Sequence, residues 1–204
     1  MQIGCPTFTY DNNGNLQTKT DGTGTTVYVY DYENRLRTVH LPGATPKTIH
    51  YKYDALGRRI ERTDANTGDW QRYTYDGWEV RSEEHSNGDW VSYVNGNEID
   101  DHLMHRRRTN GNPITYEYYL SDHQGSLRTL TDANGNVVSG NTYDTFGNRT
   151  GTVATRFGYT GREHDPDTGL MYYRARWYDS ASGRFISEDP IGLAGGINRN
   201  CSRF

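Results

Sequence analysis

The sequence predicts an all-β protein built of repeated β-hairpins that join into one curved, spiralling sheet. Three observations carry this. The dipeptide Tyr-Asp recurs at residues 10, 30, 53, 75, 143 and 178, the first four at intervals of 20, 23 and 22 residues. Before each Asp the residues fall on two alternating faces, the period of a strand. No stretch carries a helical stripe with caps at both ends. Repeats of this length are single supersecondary units that bury their apolar face by stacking on neighbours.

Each element has a physical reason. Tyr28, Tyr30 and Tyr32 share one face, with Val27 and Val29 opposite; Ile49, Tyr51 and Tyr53 share another, as do Ile114, Tyr116, Tyr118 and Leu120. The strand is predicted to end at an Asp whose carboxylate accepts the N–H two residues on. Asp11, Asp31, Asp54, Asp122 and Asp144 are these turn residues. Three places further comes Gly14, Gly57, Gly125, Gly135 or Gly147, which supplies positive φ. Asn34 stands in that slot in the second unit. A return strand then brings in Leu16, Leu36, Ile60, Leu127 or Val137.

Composition bounds the function. The chain has 204 residues, a net charge of -4 and 17 Tyr, with a mean hydropathy of -0.98. A chain this polar buries little Leu, Ile or Val, so tyrosine has to build a thin, semi-polar core, better suited to a wall than to a compact globule. The charge gives no field to draw nucleic acid. No apolar run is long enough to span a bilayer. The start, MQIGCPTFTY, has neither the basic nor the apolar region of a signal peptide. Cys5 and Cys201 read as free, non-catalytic thiols near opposite ends. Asp101, His102 and His105 suggest metal ligands, but His-x-x-His suits a helix and none is predicted, so no metal or cofactor is expected. Arg106, Arg107 and Arg108 read as a solvated loop. The tyrosine faces are either packing surfaces or carbohydrate platforms.

The repeats, with YYLSDHQGSLRTLTDANGNVV (118–138) and FGYTGREHDPDTGLMYYRARWYDSASGRFISEDPIGLAGG (157–196), resemble the RHS/YD-repeat proteins of bacteria, whose YD shell is shared with teneurins. The last segment is similar to their RHS repeat-associated core domain. The resemblance implies a YD-repeat shell segment over 1–118, a core domain over 119–198 and a non-family tail over 199–204, where the reading frame is expected to be truncated or shifted. It implies a hollow β-shell whose core domain closes one end, folds inward and often acts as an aspartyl autoprotease that frees a C-terminal toxin. Full-length relatives are secreted or surface proteins of interbacterial competition, or Tc toxin C-subunits. The partners it implies are the rest of an RHS shell or a B-type subunit. Self-association through exposed strand edges is expected besides.

The resemblance places catalytic acids at Asp167 and Asp189, with Asp165 as the alternative in the first motif. Two such carboxylates would share one proton. Both are equally natural turn residues, Asp189 because a proline follows it. Arg174, Arg176 and Arg184 either hold these acids or form the polar side of a strand. Three readings stay open: a shell fragment without cargo, a self-cleaving aspartic peptidase, and a glycan-binding module.

Overall fold

A computed structural model describes residues 5–152 and 155–190. The Gly-Leu-Ala-Gly-Gly run and the tail at 199–204 lie outside the described residues. The chain forms two compact units, one of residues up to Trp70 together with those from Tyr172 onward, the other Gln71–Met171.

In the first unit, β1 (Thr7–Tyr10), β2 (Leu16–Asp21), β3 (Gly24–Tyr30), β4 (Leu36–Leu41), β5 (Lys47–Tyr53) and β6 (Arg59–Asp64) form an antiparallel meander in chain order. In the second, β7 (Trp70–Asp76), β8 (Glu79–His85), β9 (Trp90–Asn95), β10 (His102–Arg108), β11 (Thr115–Ser121), β12 (Leu127–Thr131), β13 (Val137–Tyr143) and β14 (Arg149–Thr152) do the same. Four short strands follow: β15 (Glu163–His164), β16 (Leu170–Tyr173), β17 (Arg176–Asp179) and β18 (Arg184–Phe185). No helix among the described residues is long and apolar enough to cross a membrane.

The repeat turn is more heavily bonded than the sequence suggests. Asp31 Oδ1 accepts the N–H of Glu33 and of Arg35, both at 2.9 Å, and Oδ2 accepts Arg35 Nε at 2.8 Å. The Asp31 N–H donates to Arg35 O, and the Asn34 N–H to Asp31 O. Asp11, Asp54, Asp122, Asp132 and Asp144 repeat this pattern, each Oδ1 taking the N–H groups two and four residues on. The fourth residue after the Asp adds a side-chain donor: Asn15, Arg58, Asn136 or Asn148. Burial pushes the Asp54 carboxyl up, but the bonds from Arg58 and Leu56 outweigh it and hold it below its ordinary range.

A register shift falls just before the Asp: Tyr10 faces Leu16, Tyr30 faces Leu36, Tyr53 faces Arg59, Tyr75 faces Val80 and Ser121 faces Leu127. Such a bulge adds one residue to one strand and re-aims its neighbours. The fifth residue after the Asp therefore turns inward, and Leu16, Leu36, Arg59 and Leu127 are all buried. This corrects the third repeat, where Arg59 rather than Ile60 occupies the core position. Val137 is 70 % exposed, because its partner Thr131 also pairs with outward-facing Tyr118.

Other expectations change too. Tyr32 lies past the end of β3, in the turn, and is exposed. Ile114, Tyr116, Tyr118 and Leu120 share a face as expected, and that face is the exposed one; the buried side chain of β11 is Tyr119. Arg106–Arg108 is the end of β10 rather than a loop.

Replacing Asp31 by Ala removes the acceptor of two backbone N–H groups and is expected to cost about 1–3 kcal/mol in urea unfolding. Asp31→Asn keeps one oxygen and should cost clearly less. Equal losses in the two variants would show that the carboxamide oxygen cannot serve the turn.

Candidate functional site

The segment from Thr155 to Pro190 carries the motifs that the sequence singles out. It meets each meander through side chains that are both aromatic and hydrogen-bonded.

In the first unit, Tyr172, Trp177, Tyr178, Phe185 and Ile186 are buried with Leu16, Tyr28, Leu36, Ile49 and Tyr51 of the sheet. The Tyr51 and Trp177 rings lie 4.6 Å apart. Buried hydroxyls find carbonyls: Tyr30 OH donates to Leu16 O or Ile186 O, and Tyr53 OH to Leu36 O at 2.7 Å. Trp177 Nε1 donates to Tyr53 OH. The Leu16 N–H, just past the first turn, is taken by Ile186 O at 2.7 Å. The Arg59 guanidinium lies 5.0–5.7 Å from the ring centres of Tyr51, Tyr172 and Trp177, a cation surrounded by π-faces. Lys19 reaches Asp179 at 3.1 Å.

Asp189 lies in this unit. Arg176 Nη2 stands 2.9 Å from Asp189 Oδ2, and its guanidinium lies over Phe185 at 3.7 Å. Beside it, Glu188 sits on the first repeat turn. A Cβ on Gly14 would stand 2.6 Å from Glu188 Oε1, so the glycine serves close approach as well as its φ of 77°. Of the other two arginines, Arg174 adopts φ 58° between β16 and β17 instead of standing on a strand, and Arg184 is exposed opposite Asp179.

In the second unit, Phe157 joins a core of Tyr73, Val80, Val91, Tyr93, Tyr119, Leu127 and Leu130. The Leu127 N–H donates to Gly158 O, as Leu16 does to Ile186. Arg156 is the buried cation here. It pairs with Glu83 at 2.9 Å and with Glu163, and lies over the Tyr73 ring at 3.9 Å. Burial pushes the Glu83 carboxyl up; Arg156 and the bonds from His85 and Tyr93 outweigh it and hold it down to about 2. His102 stacks on Phe157 at 3.6 Å.

Asp165 and Asp167 lie in this second unit. Asp165 is buried and is itself a turn carboxylate: its Oδ1 accepts the N–H of Asp167 and of Thr168, both at 3.1 Å. Its N–H donates to Leu170 O, and its own carbonyl takes the Gly169 N–H. This is the repeat turn with one residue added. Asp167 and Asp189 belong to different units, so their pairing is a feature of neither.

The metal reading changes its members. His102 and His105 are both buried on β10. Glu79, Asp100 and His102 gather their oxygens and nitrogen within 4.8 Å. Those atoms already have partners: Asp100 pairs with Arg162 at 2.9 Å, His102 Nε2 meets Gly161 O, and His102 Nδ1 meets Asn95 Oδ1. Arg59, Arg156 and Glu83 were not foreseen as a group. The one available signal was position, since Arg59 stands five residues after its Asp, where the repeats of Asp11, Asp31 and Asp122 carry Leu.

Antiparallel meanders of carboxylate turns, each backed within its unit by aromatic side chains of the 155–190 segment, are the elements of a YD-type shell wall. The family model described as Teneurin YD-shell matches residues 1–194, and the chain belongs to that family. It is 33% identical over 192 residues to the tRNA nuclease WapA of Bacillus subtilis (strain 168), covering 90% of this chain and 8% of that protein. It is 31% identical over 223 residues to double-stranded DNA deaminase toxin A of Burkholderia cenocepacia (strain H111), covering 94% and 16%. The fold matches a TcdB2-TccC3 crystal structure with a TM-score of 0.70 at 20% identity, over 96% of this chain and 13% of that one. The chain thus spans under a fifth of the length of each of these proteins.

Arg156→Met would leave Glu83 and Glu163 buried without their cation, at a cost of about 3–5 kcal/mol at neutral pH. In the parent, Glu83 contributes stability above its ordinary value of 4.5 and loses it as pH falls toward 2. In the variant its carboxyl titrates higher, so the defect should shrink as pH falls from 7 toward 4.5. Urea midpoints across that range check this; a defect constant with pH would contradict it.

Proposed function

We propose that this chain is a stretch of curved β-wall, with its inward-folded closing segment, from the shell of a toxin-delivery protein. One observation supports this most. Residues 155–190 supply Phe157, Tyr172, Trp177, Phe185 and Ile186, the side chains that cover the buried faces of the meanders within each unit. A segment used in this way works as lining and plug. The rest of an RHS-type shell, or a B-type subunit, is the partner that would continue the wall. The toxic activities named for the relatives belong to those longer proteins; the part shared with this chain is the casing.

A second reading is an aspartic self-cleaving core. The Arg176–Asp189 pair at 2.9 Å favours it, since a charge-assisted contact from an arginine holds a carboxylate ionised and in place. Of the first motif's two acids, Asp165 holds its own turn, and Asp167 is the one that this reading takes as an acid.

Intact-mass measurement of the purified chain, near neutral pH and at mildly acidic pH, separates the two. The wall reading expects one unbroken species in both. A clipped product that disappears in Asp189→Asn would establish the peptidase instead. Light scattering across a concentration series addresses the partner. Growth of higher species with concentration is expected from open strand edges, and a strictly monomeric, cooperatively melting chain would contradict it.

A further inference from the structure

The sequence holds five Asn-Gly pairs, at 13–14, 87–88, 95–96, 110–111 and 134–135. Asn-Gly is the dipeptide most prone to intramolecular attack by the backbone on the side-chain amide. The glycine nitrogen must give up its proton and reach the asparagine Cγ. Four of the five pairs oppose this in the same way. The N–H of Gly14, Gly88, Gly96 and Gly135 donates to a backbone carbonyl: Asp11 O at 3.1 Å, His85 O at 3.0 Å, Asp101 O at 2.7 Å and Asp132 O at 3.1 Å. That bond keeps the proton on the nitrogen and points the nitrogen away from the side chain.

The fifth pair differs because its turn is built differently. In Thr109-Asn110-Gly111-Asn112 the closing bond runs from the Asn112 N–H to Thr109 O at 2.9 Å. Glycine comes two places after the turn's first residue rather than three, so it lies inside the closing bond instead of donating it. Among the described residues, no backbone carbonyl takes the Gly111 N–H. The surroundings are open as well: Asn110 and Gly111 are exposed, and no heavy atom lies within 4 Å of where a Gly111 Cβ would stand.

We propose that Asn110 is the deamidation site of this protein, a self-modification that opens the rim between two neighbouring turns. The Gly111 nitrogen forms a bond to Asn110 Cγ, and the bond from Cγ to Nδ2 breaks. Ammonia leaves, carrying the proton lost from the glycine nitrogen. Water then adds across either carbonyl–nitrogen bond of the cyclic imide, giving aspartate or isoaspartate at 110. No oxidant, reductant or cofactor is needed.

The consequence follows from what Asn110 holds. Its N–H donates to Asp89 Oδ1 at 2.6 Å and its Nδ2 to Asn87 O at 3.3 Å, tying the β10–β11 turn to the β8–β9 turn. A carboxylate at 110 cannot donate to Asn87 O and places a second negative charge near Asp89. In the isoaspartyl product the backbone also gains a methylene, which displaces the Asn110 N–H from Asp89. The tie is lost and does not reform.

The test is incubation of the folded chain in mildly alkaline buffer near physiological temperature, followed by trypsin and tandem mass spectrometry. Cleavage after Arg108 and Arg128 isolates Asn110 in a peptide of its own, 109–128, away from the other four pairs. The exchange of amide for acid should appear there roughly five- to tenfold faster than at Asn13, Asn87, Asn95 or Asn134, the rate equivalent of one backbone hydrogen bond. In strong urea the five sites should converge, because the dipeptide alone then sets the rate. Equal rates at all five sites in the folded chain, or a faster reaction at any of the four held pairs, would overturn the proposal. So would a ranking that survives in urea.

Discussion

A carboxylate that accepts the backbone N–H groups two and four residues ahead is the interaction on which the whole sheet depends. It closes the hairpin, ends one strand and starts the next, and it leaves the chain poised for the bulge that precedes it. The bulge decides which residue faces inward. Without the bulge, Leu16, Leu36 and Leu127 would lie on the wrong face, since a one-residue slip reverses a strand. The turn chemistry therefore sets the core, and its last residue can be buried with it, as Asn15 and Ser126 are. A related turn occurs at Asp165, whose Oδ1 takes the N–H groups two and three residues ahead and shapes the 155–190 segment.

A wall assembled in this way has a particular problem. Its buried face is rich in tyrosine, and every buried hydroxyl must find a partner. The inward segment supplies some of those partners and most of the large rings. Ile186 O and Gly158 O play equivalent parts in the two units, each taking the N–H of the leucine that follows a repeat turn. Each unit also holds one buried arginine under aromatic rings, Arg59 in the first and Arg156 in the second. Arginine suits such a place because its flat guanidinium stacks on rings and is weakly hydrated. In the second unit Arg156 also pairs with the carboxylates of Glu83 and Glu163.

The repeat was legible in the sequence because its chemistry is local. Asp, the glycine three places on and the alternation before them announce strand, turn and strand, and a hydrogen-bonded tyrosine core follows from the shortage of Leu, Ile and Val. Facing was harder to read. Tyr116 and Tyr118 share a face as the alternation says, but alternation does not tell which face is buried, and here it is that of Tyr119. Arg59 was hidden for the opposite reason: a charged residue in a leucine position looks like surface until the rings of Tyr172 and Trp177, far along the sequence, are placed around it. Of the candidate acids, Asp165 resolves into a turn residue. Asp189 gains a partner in Arg176 that the motif suggested and only the fold could assign.

Within each unit, then, the turns present a buried face and side chains of the 155–190 segment cover it. The most direct measurement is hydrogen exchange on a protein lacking the residues from Thr155 onward, compared with the full-length one. If the inward segment completes the core, the amides of Leu16 and Leu127 should lose their protection, and β2 to β5 and β8 to β12 should exchange much faster. Unchanged protection through those strands would contradict the account, because it would show that the meanders hold their buried faces without the segment.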